Sequence, residues 1–544
     1  MNGKREAGWV LGWAIAIVLL SSVPYVWGML IRPPGHQFLG LTHNIDDGAV
    51  YLSWMRQAAD GHFFIRNLFT NDPQPAKAFN VLFLLMGLVA RVTGFPLIWV
   101  FHLFRVGLCV ALIFIVHRFA CLFINRPEHA RLLVPLVGLS AGVGWLVQGG
   151  GPPTGPVDVW QPEAITFLSV YLNPLFLAGL ILMVGALHCL ETARRSGRVR
   201  DAVCAGLCLL ALGNVHTYDV VTAACVWSAY LVVLGVRERR FPARGVALSF
   251  LAAAVAAPSV AYQAYVLIVD PLYRARAGTP APSPAIWSYF AGYGLVLVGA
   301  VAGAAIHART SRSRGDGSPP PALRAPLILI VWSVVGFVVP YIPVAQQRKL
   351  VMGLHIPLCI LCAVAVVWLV ERVPRAGRRA VATALLAVMA ISNVRFLADD
   401  MRLMTQGATA PGFSPFISCA ELEAMRCLQD SLQASDSVLA PPGFALFTPA
   451  FAGRPVYYGH WSETPDYGER LRRWLLTEDS SAAVVSREAA LAATGVNYVV
   501  RYLDNSAAER SSAIEGLQPV FTSDAPSGGC IVVYRVRAPA RSSE

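Results

Sequence analysis

Apolar stretches of about 20 residues recur along this chain, and each is long enough to cross a hydrocarbon core of roughly 30 Å. They fall at 9–30, 96–124, 132–148, 166–190, 202–214, 219–236, 246–269, 285–307, 325–342, 350–370 and 380–396. Only helices and closed barrels satisfy every backbone polar group in lipid, so this pattern predicts a polytopic helical membrane protein of about 11 spans. The composition, 56% hydrophobic and 14% charged, excludes a soluble globule and a disordered chain alike. The first stretch follows Lys4 and Arg5, runs too long for a signal-peptide core and lacks a small-residue cleavage pattern. It is expected to remain as an anchor.

Charge supplies the orientation. The net +12 divides into 32 Lys/Arg against 16 Asp/Glu over residues 1–399, and 12 against 16 over 400–544. With the N-terminus inside, 21 of those 32 cations fall in cytoplasmic connections, at 4–5, 118–131, 194–200, 237–244, 309–324 and 372–379. This is the positive-inside pattern, so the basic balance marks a membrane face and nucleic acid is not a partner. The outer loops at 149–165 and 214–218 hold no cation, whereas 270–284 holds Arg274 and Arg276, and 343–349 holds Arg348 and Lys349.

Residues 78–93 are apolar enough to count as a span, but counting them would turn the Arg-rich loops outward. They are read as an interfacial or re-entrant helix, which leaves a long outer loop from Ile31 to Phe95. The apolar runs end after Phe396. The expected domains are therefore a membrane region over 1–399 and a soluble extracytoplasmic α/β domain over 400–544.

Several polar groups are expected on the outer side. HNIDDGAVYLSWMRQAADG, residues 43–61, places Asp46 and Asp47 at the start of an amphipathic helix that Asn44 or Asp46 can cap and Gly61 can stop. Plain N-capping is the alternative reading of the two acids. Arg105, with His102, lies three turns into the second span, where an arginine is costly enough to be read as functional. Asp158 and Glu163 flank Trp160 and Gln161 in the loop 149–165, and GNVHTYD brings His216 and Asp219 to a boundary. QRKLVMGLHIP sets Arg348 and Lys349 against the positive-inside trend with His355 beyond them, which suits an anionic head group. Arg274 and Arg276 lie in a Pro/Ser-rich loop and read as weaker versions of the same feature.

In the last domain, 437–440, 455–458, 497–502, 518–522 and 530–535 read as strands, and 419–433, 465–477 and 485–494 as helices. GRPVYYGHWSETPDYGER, 453–470, gathers His460, Trp461, Glu463, Asp466 and Tyr467 on a strand-to-helix loop. Cys419, Cys427 and Cys530 are an odd number, and their spacing selects no pair for a disulfide. The run Gly149 to Gly151 reads as loop punctuation, and the chain has no H-E-x-x-H, Walker A or G-x-S-x-G motif.

This layout, a first span followed by an outer loop with an acidic pair and a second juxtamembrane helix, many spans and a soluble C-terminal domain, resembles the GT-C superfamily of integral-membrane glycosyltransferases. DDGAVYLSWMRQ at Asp46–Gln57, HLFR at His102–Arg105, WQPEA at Trp160–Ala164, QRKLVMGLHIP at Gln347–Pro357 and GRPVYYGHW at Gly453–Trp461 resemble a group of bacterial membrane proteins described as glycosyltransferases on sequence alone. The resemblance implies an inverting transfer of sugar from a polyprenyl-phosphate donor to a hydroxyl of an envelope glycan, lipid or protein, in a bacterial cytoplasmic membrane with the C-terminal domain outside. It implies that Asp46 or Asp47 is the general base and that Arg105, Arg348, Lys349 and His355 serve the lipid phosphate. His102, Asp158, Glu163, His216, Asp219, His460 and Trp461 are then expected to line the sugar or acceptor. No metal ligand is assigned, and dependence on a divalent cation stays open. The W-W-D-x-G signature of oligosaccharyltransferases is missing, which argues against peptide N-glycosylation. A polytopic transporter and a non-catalytic handler of lipid-linked sugars are the competing readings; internal repeats, expected of the former, are not evident.

Overall fold

Side-chain caps at Asn80, Asn173, Asp270 and Ser418 set the starts of four helices. In this computed structural model, which describes residues 3–147, 153–312, 323–409, 412–479, 481–504, 516–525 and 529–537, eight helices are long and apolar enough to cross a membrane. They are Lys4–Leu30, Leu97–Ala120, Pro174–Ser196, Tyr218–Glu238, Ala243–Val269, Ile286–Arg312, Gln347–Glu371 and Arg378–Thr405. The other three expected spans are shorter helices, Pro127–Leu139, Val199–Val215 and Leu327–Val338, the last continued by a 3-10 turn Val339–Tyr341. The stretch 166–190 is not one helix. Asn173 leaves the helical region, and its side chain accepts from the Phe176 N–H at 3.0 Å to start the helix Pro174–Ser196, with proline at the first position. The Gly149–Gly151 run and Arg314 lie outside the described residues.

The chain forms two compact units. One comprises Met1–Pro24, Phe101–Tyr265 and Pro280–Asp399. Its most enclosed helix is His355–Glu371, packed against Ile286–Arg312 and Pro127–Leu139. Gly303 makes the first packing close: a Cβ there would sit 2.0 Å from the Leu361 carbonyl oxygen, so no other residue fits. Helix Ile286–Arg312 is kinked at Gly294 (φ 40°, ψ −118°), a backbone conformation that glycine tolerates.

The other unit comprises Tyr25–Val100, Val266–Thr279 and Asp400–Glu544. Helix Ile45–Ala59 packs on Val81–Thr93 and on Pro442–Phe451. Asn80 caps Val81–Thr93 by accepting from the Leu82 and Phe83 N–H groups, and Gly94 (φ 70°) ends it after 13 residues. Thirteen residues reach about 20 Å, short of a hydrocarbon core. Gly87 lets the pair approach, since a Cβ would lie 2.4 Å from the Met55 carbonyl oxygen.

The sheet of this unit has the order Val438–Leu439, Tyr498–Asp504, Gly529–Val536, Leu517–Ala525. The first pair is parallel and the other two are antiparallel, with Val499 opposite Tyr534 and Val533 opposite Phe521. Leu439, Tyr458, Leu491, Val499 and Val532 form its core. Ser418 and Glu421 build a reciprocal capping box for helix Cys419–Ser431. Two local expectations differ. Residues 455–458 contribute a single bridge, Val438 with Val456, in place of a strand. Helix Pro442–Phe451 was not expected, because Pro449 lies inside it and an interior proline argues against a helix. Cys419, Cys427 and Cys530 are all free thiols.

Candidate functional site

Asp46 and Asp47 occupy the first turn of helix Ile45–Ala59, where carboxylates suit the exposed N–H groups. The residue before the helix, Asn44, is left-handed (φ 46°, ψ 49°) and makes no side-chain cap, so the expected Asn44 cap is not formed. The two aspartates differ in setting. Side-chain exposure is 10% for Asp46 and 47% for Asp47. Asp46 accepts from Trp461 Nε1 at 3.2 Å. His460, itself buried, brings Nε2 to 3.6 Å from Asp46 Oδ2 and 3.6 Å from Asp47 Oδ1.

The tautomer follows from the other ring nitrogen. The Ser462 N–H donates to His460 Nδ1 at 3.2 Å, so the neutral ring carries its proton on Nε2, facing the two carboxylates. Burial pushes the Asp46 carboxyl above the usual range, and repulsion by Asp47 adds to this while the His460 charge opposes it. Burial by itself would lower the His460 imidazole. Asp47, Glu463 and Asp46 together outweigh it, and the net direction is up. The charge on each of these three groups therefore bears on the protonation of the other two.

The loop that presents His460 is fixed from several sides. Thr464 Oγ1 donates to the Phe69 carbonyl at 2.7 Å and accepts from the Gly459 N–H at 3.1 Å. Asn67 Nδ2 donates to the Glu463 carbonyl at 2.7 Å. Arg276 Nε lies 2.6 Å from Glu463 Oε1, and its guanidinium sits 4.6 Å from the centroid of Trp54. Trp54 is seven residues beyond Asp47 on the same helix and therefore on the same face. Arg276 and Glu463 are the residues that sequence reasoning undervalued; Glu463 stood in the 453–470 loop without an assigned role, and an unusual cation in an outer loop was the signal for Arg276. Arg274 instead bonds the Leu267 carbonyl at 2.7 Å.

The remaining residues lie in the other unit, in separate groups. Arg348 sits over the Trp160 ring at 5.7 Å, its carbonyl accepts from Gln161 Nε2 at 2.9 Å, and its buried Nε has no hydrogen-bond partner among the described residues. Lys349 Nζ lies 5.0 Å from the Tyr218 ring centroid. His216 Nδ1 is 3.1 Å from Asp219 Oδ2, with Asp219 wholly buried at the start of helix Tyr218–Glu238. The structure thus links the 160, 216–219 and 348–349 segments through rings and cations. Buried Arg105 donates to Ser21 Oγ at 3.1 Å, Ser22 Oγ at 2.8 Å and the Val170 carbonyl at 3.4 Å, and its Nε to His102 Nδ1 at 3.3 Å.

His355 is enclosed with Thr166 Oγ1 at 3.0 Å from Nδ1 and Ser140 Oγ at 3.2 Å from Nε2. Asp158 Oδ2 accepts from the Gly142 and Gly144 N–H groups, both at 3.0 Å, and burial raises its carboxyl to about 6 against those bonds. Glu163 is buried beside this loop. Asp46, Asp47 and His460 are not a three-ligand set for a single ion among the described residues.

No protein-family model matches the chain, and no curated protein matches it in sequence. Solved structures do. The archaeal oligosaccharyltransferase AglB from Archaeoglobus fulgidus, in complex with an inhibitory peptide and a dolichol-phosphate, aligns at TM-score 0.52 and 11% identity over 98% of this chain and 75% of that one. The Archaeoglobus fulgidus oligosaccharyltransferase tethered through a disulfide to an acceptor peptide containing the NVT sequon gives TM-score 0.50 and 11% identity over 97% and 75%. At such identity the likeness is one of fold. The chain has the GT-C fold of the polytopic membrane glycosyltransferases.

Proposed function

We propose that this protein is an inverting glycosyltransferase that moves a sugar from a polyprenyl-phosphate donor to an acceptor hydroxyl, with Asp47 as general base. The observation that carries the reading is the acidic pair on helix Ile45–Ala59, one carboxylate buried and engaged by Trp461, the other 47% exposed and beside His460. A neutral alcohol must lose its proton as it attacks the anomeric carbon, and a carboxylate within reach takes it. The acceptor C–O bond forms on one face, the bond to the lipid phosphate oxygen breaks on the other, and the proton passes to Asp47. Asp46 and His460 position that base and tune its charge.

The leaving group is a lipid phosphate whose negative charge grows as the bond breaks. Arg348, with an unpartnered buried Nε, and Lys349 are assigned to it, because preorganised cations act where charge develops. The Archaeoglobus fulgidus neighbour was solved with a dolichol-phosphate, which agrees with a lipid-phosphate donor. The proposed orientation puts the N-terminus in the cytoplasm and both the acidic pair and the 400–544 segment outside, following the 21 cations in the cytoplasmic connections. Purified protein incubated with a panel of polyprenyl-phosphate sugars should release polyprenyl phosphate with at least one of them. Absence of release with every donor, by protein that still binds them, refutes transfer.

A further inference from the structure

Glu6, His117 and Cys121, none of which has a role assigned above, lie together in the first unit. His117 is in the last turn of helix Leu97–Ala120, and the Cys121 N–H bonds the His117 carbonyl at 3.0 Å, so the helical path continues and both side chains share a face. Glu6 is in the first turn of helix Gly3–Leu30. His117 Nε2 lies 3.3 Å from Glu6 Oε1 and 3.8 Å from Cys121 Sγ. One ligand atom from each of the three lies within 4.8 Å of the others.

These distances have a chemical meaning. Zinc bound tetrahedrally, with bonds of about 2.0–2.1 Å to nitrogen or oxygen and about 2.3 Å to sulfur, holds its ligand atoms about 3.3 Å (N to O) and about 3.6 Å (N to S) apart. The nitrogen-to-oxygen spacing here already matches, whereas Cys121 Sγ lies 3.8 Å from Nε2 and 3.9 Å from Nδ1, beside the ring, so metal binding requires the thiol to swing toward the Nε2 side. A surface Glu–His contact alone would need no thiol and contributes little. The donor set is also selective, since thiolate with imidazole favours borderline transition metals over magnesium or calcium.

We propose that Glu6, His117 and Cys121 form a zinc-type site, with one coordination position left to water, that clips the start of the first helix to the end of helix Leu97–Ala120. The proposal is independent of the sugar-transfer reading. On the proposed orientation these helix ends face the cytoplasm, where a thiol stays reduced and able to bind metal.

The test uses full-length protein in detergent, stripped with chelator and titrated with Co²⁺ as a spectroscopic stand-in for zinc. The expected result is one Co²⁺ per chain, a tetrahedral d–d absorption and a thiolate-to-cobalt charge-transfer band, all displaced by Zn²⁺. Cys121→Ser should remove the charge-transfer band, and Glu6→Gln and His117→Gln should each weaken binding by roughly tenfold or more, as loss of one of three protein ligands demands. All three positions are at least partly exposed, so the variants should elute from gel filtration as the parent does. A charge-transfer band that persists in Cys121→Ser, or a parent protein that shows none, overturns the proposal.

Discussion

The indole Nε1 of Trp461 donates to Oδ2 of Asp46 at 3.2 Å, across 415 residues of sequence. This bond joins the first-turn acid of one helix to an aromatic loop near the other end of the chain. It also distinguishes two adjacent aspartates, since Asp46 is held by the indole with 10% of its side chain exposed and Asp47 is 47% exposed.

The first prediction concerns that difference. Asp47→Asn keeps the shape of the side chain but cannot accept a proton, so the rate of sugar transfer should fall by about 10²–10⁴-fold with donor binding unchanged. Asp46→Asn should cost less, because the amide oxygen can still accept from Trp461. The double variant should be inactive. Transfer assays on the three proteins decide it, and equal losses for the two single variants would remove the distinction.

Trp461→Phe leaves a ring but deletes the donor to a buried carboxylate. The fold should lose about 1.5–3 kcal/mol, the usual worth of a hydrogen bond to a charged group, read as a lower melting temperature in detergent. Transfer should fall as well, since His460 stacks on the Trp461 ring with centroids 5.9 Å apart and would be held less firmly.

Much of the candidate chemistry was legible in the sequence. The DD pair and the HW dipeptide of one unit, and the Arg348–Lys349 departure from the positive-inside trend in the other, are local patterns, and their types announce chemistry before any contact is known. Arg276 was not legible in the same way. Its partners, Glu463 and Trp54, are brought to it only by tertiary structure, and a Pro/Ser-rich loop gives no sign of that. Helix Pro442–Phe451 stayed hidden because proline at interior positions normally argues against a helix. The break at Asn173 was equally hard to see, since apolar residues flank it and only a capping side chain interrupts the run.

The pH dependence follows from His460. Burial lowers its imidazole, but Asp47, Glu463 and Asp46 together hold it above its ordinary value of 6.5. Folding therefore favours the protonated ring. The stabilisation is fully present below about pH 6.5 and is lost as pH rises through the folded value. Asp46, also raised, acts with the same sign from a lower pH, being stabilised in its protonated form and penalised once it ionises. Melting temperature should decline on the alkaline side in the parent, and His460→Gln should flatten that decline. The same variant should move the rise of transfer activity to higher pH, because the base loses a neighbouring positive charge.

Two arginines should behave in opposite ways. Arg105 spends its donors on Ser21, Ser22, Val170 and His102. Lysine has a single ammonium and cannot reproduce that fork, so Arg105→Lys should lower the melting temperature and reduce activity through the fold. Arg348 keeps a buried Nε without a partner beside Trp160, so truncation removes little that the folded chain uses. Arg348→Ala should leave the melting temperature nearly unchanged and weaken binding of a polyprenyl phosphate by roughly 10–100-fold, the equivalent of about 1.5–3 kcal/mol for a hydrogen bond to a charged group. Titrating polyprenyl phosphate into both variants, alongside thermal melts, separates the outcomes. If Arg348→Ala binds the lipid as the parent does, the phosphate lies elsewhere.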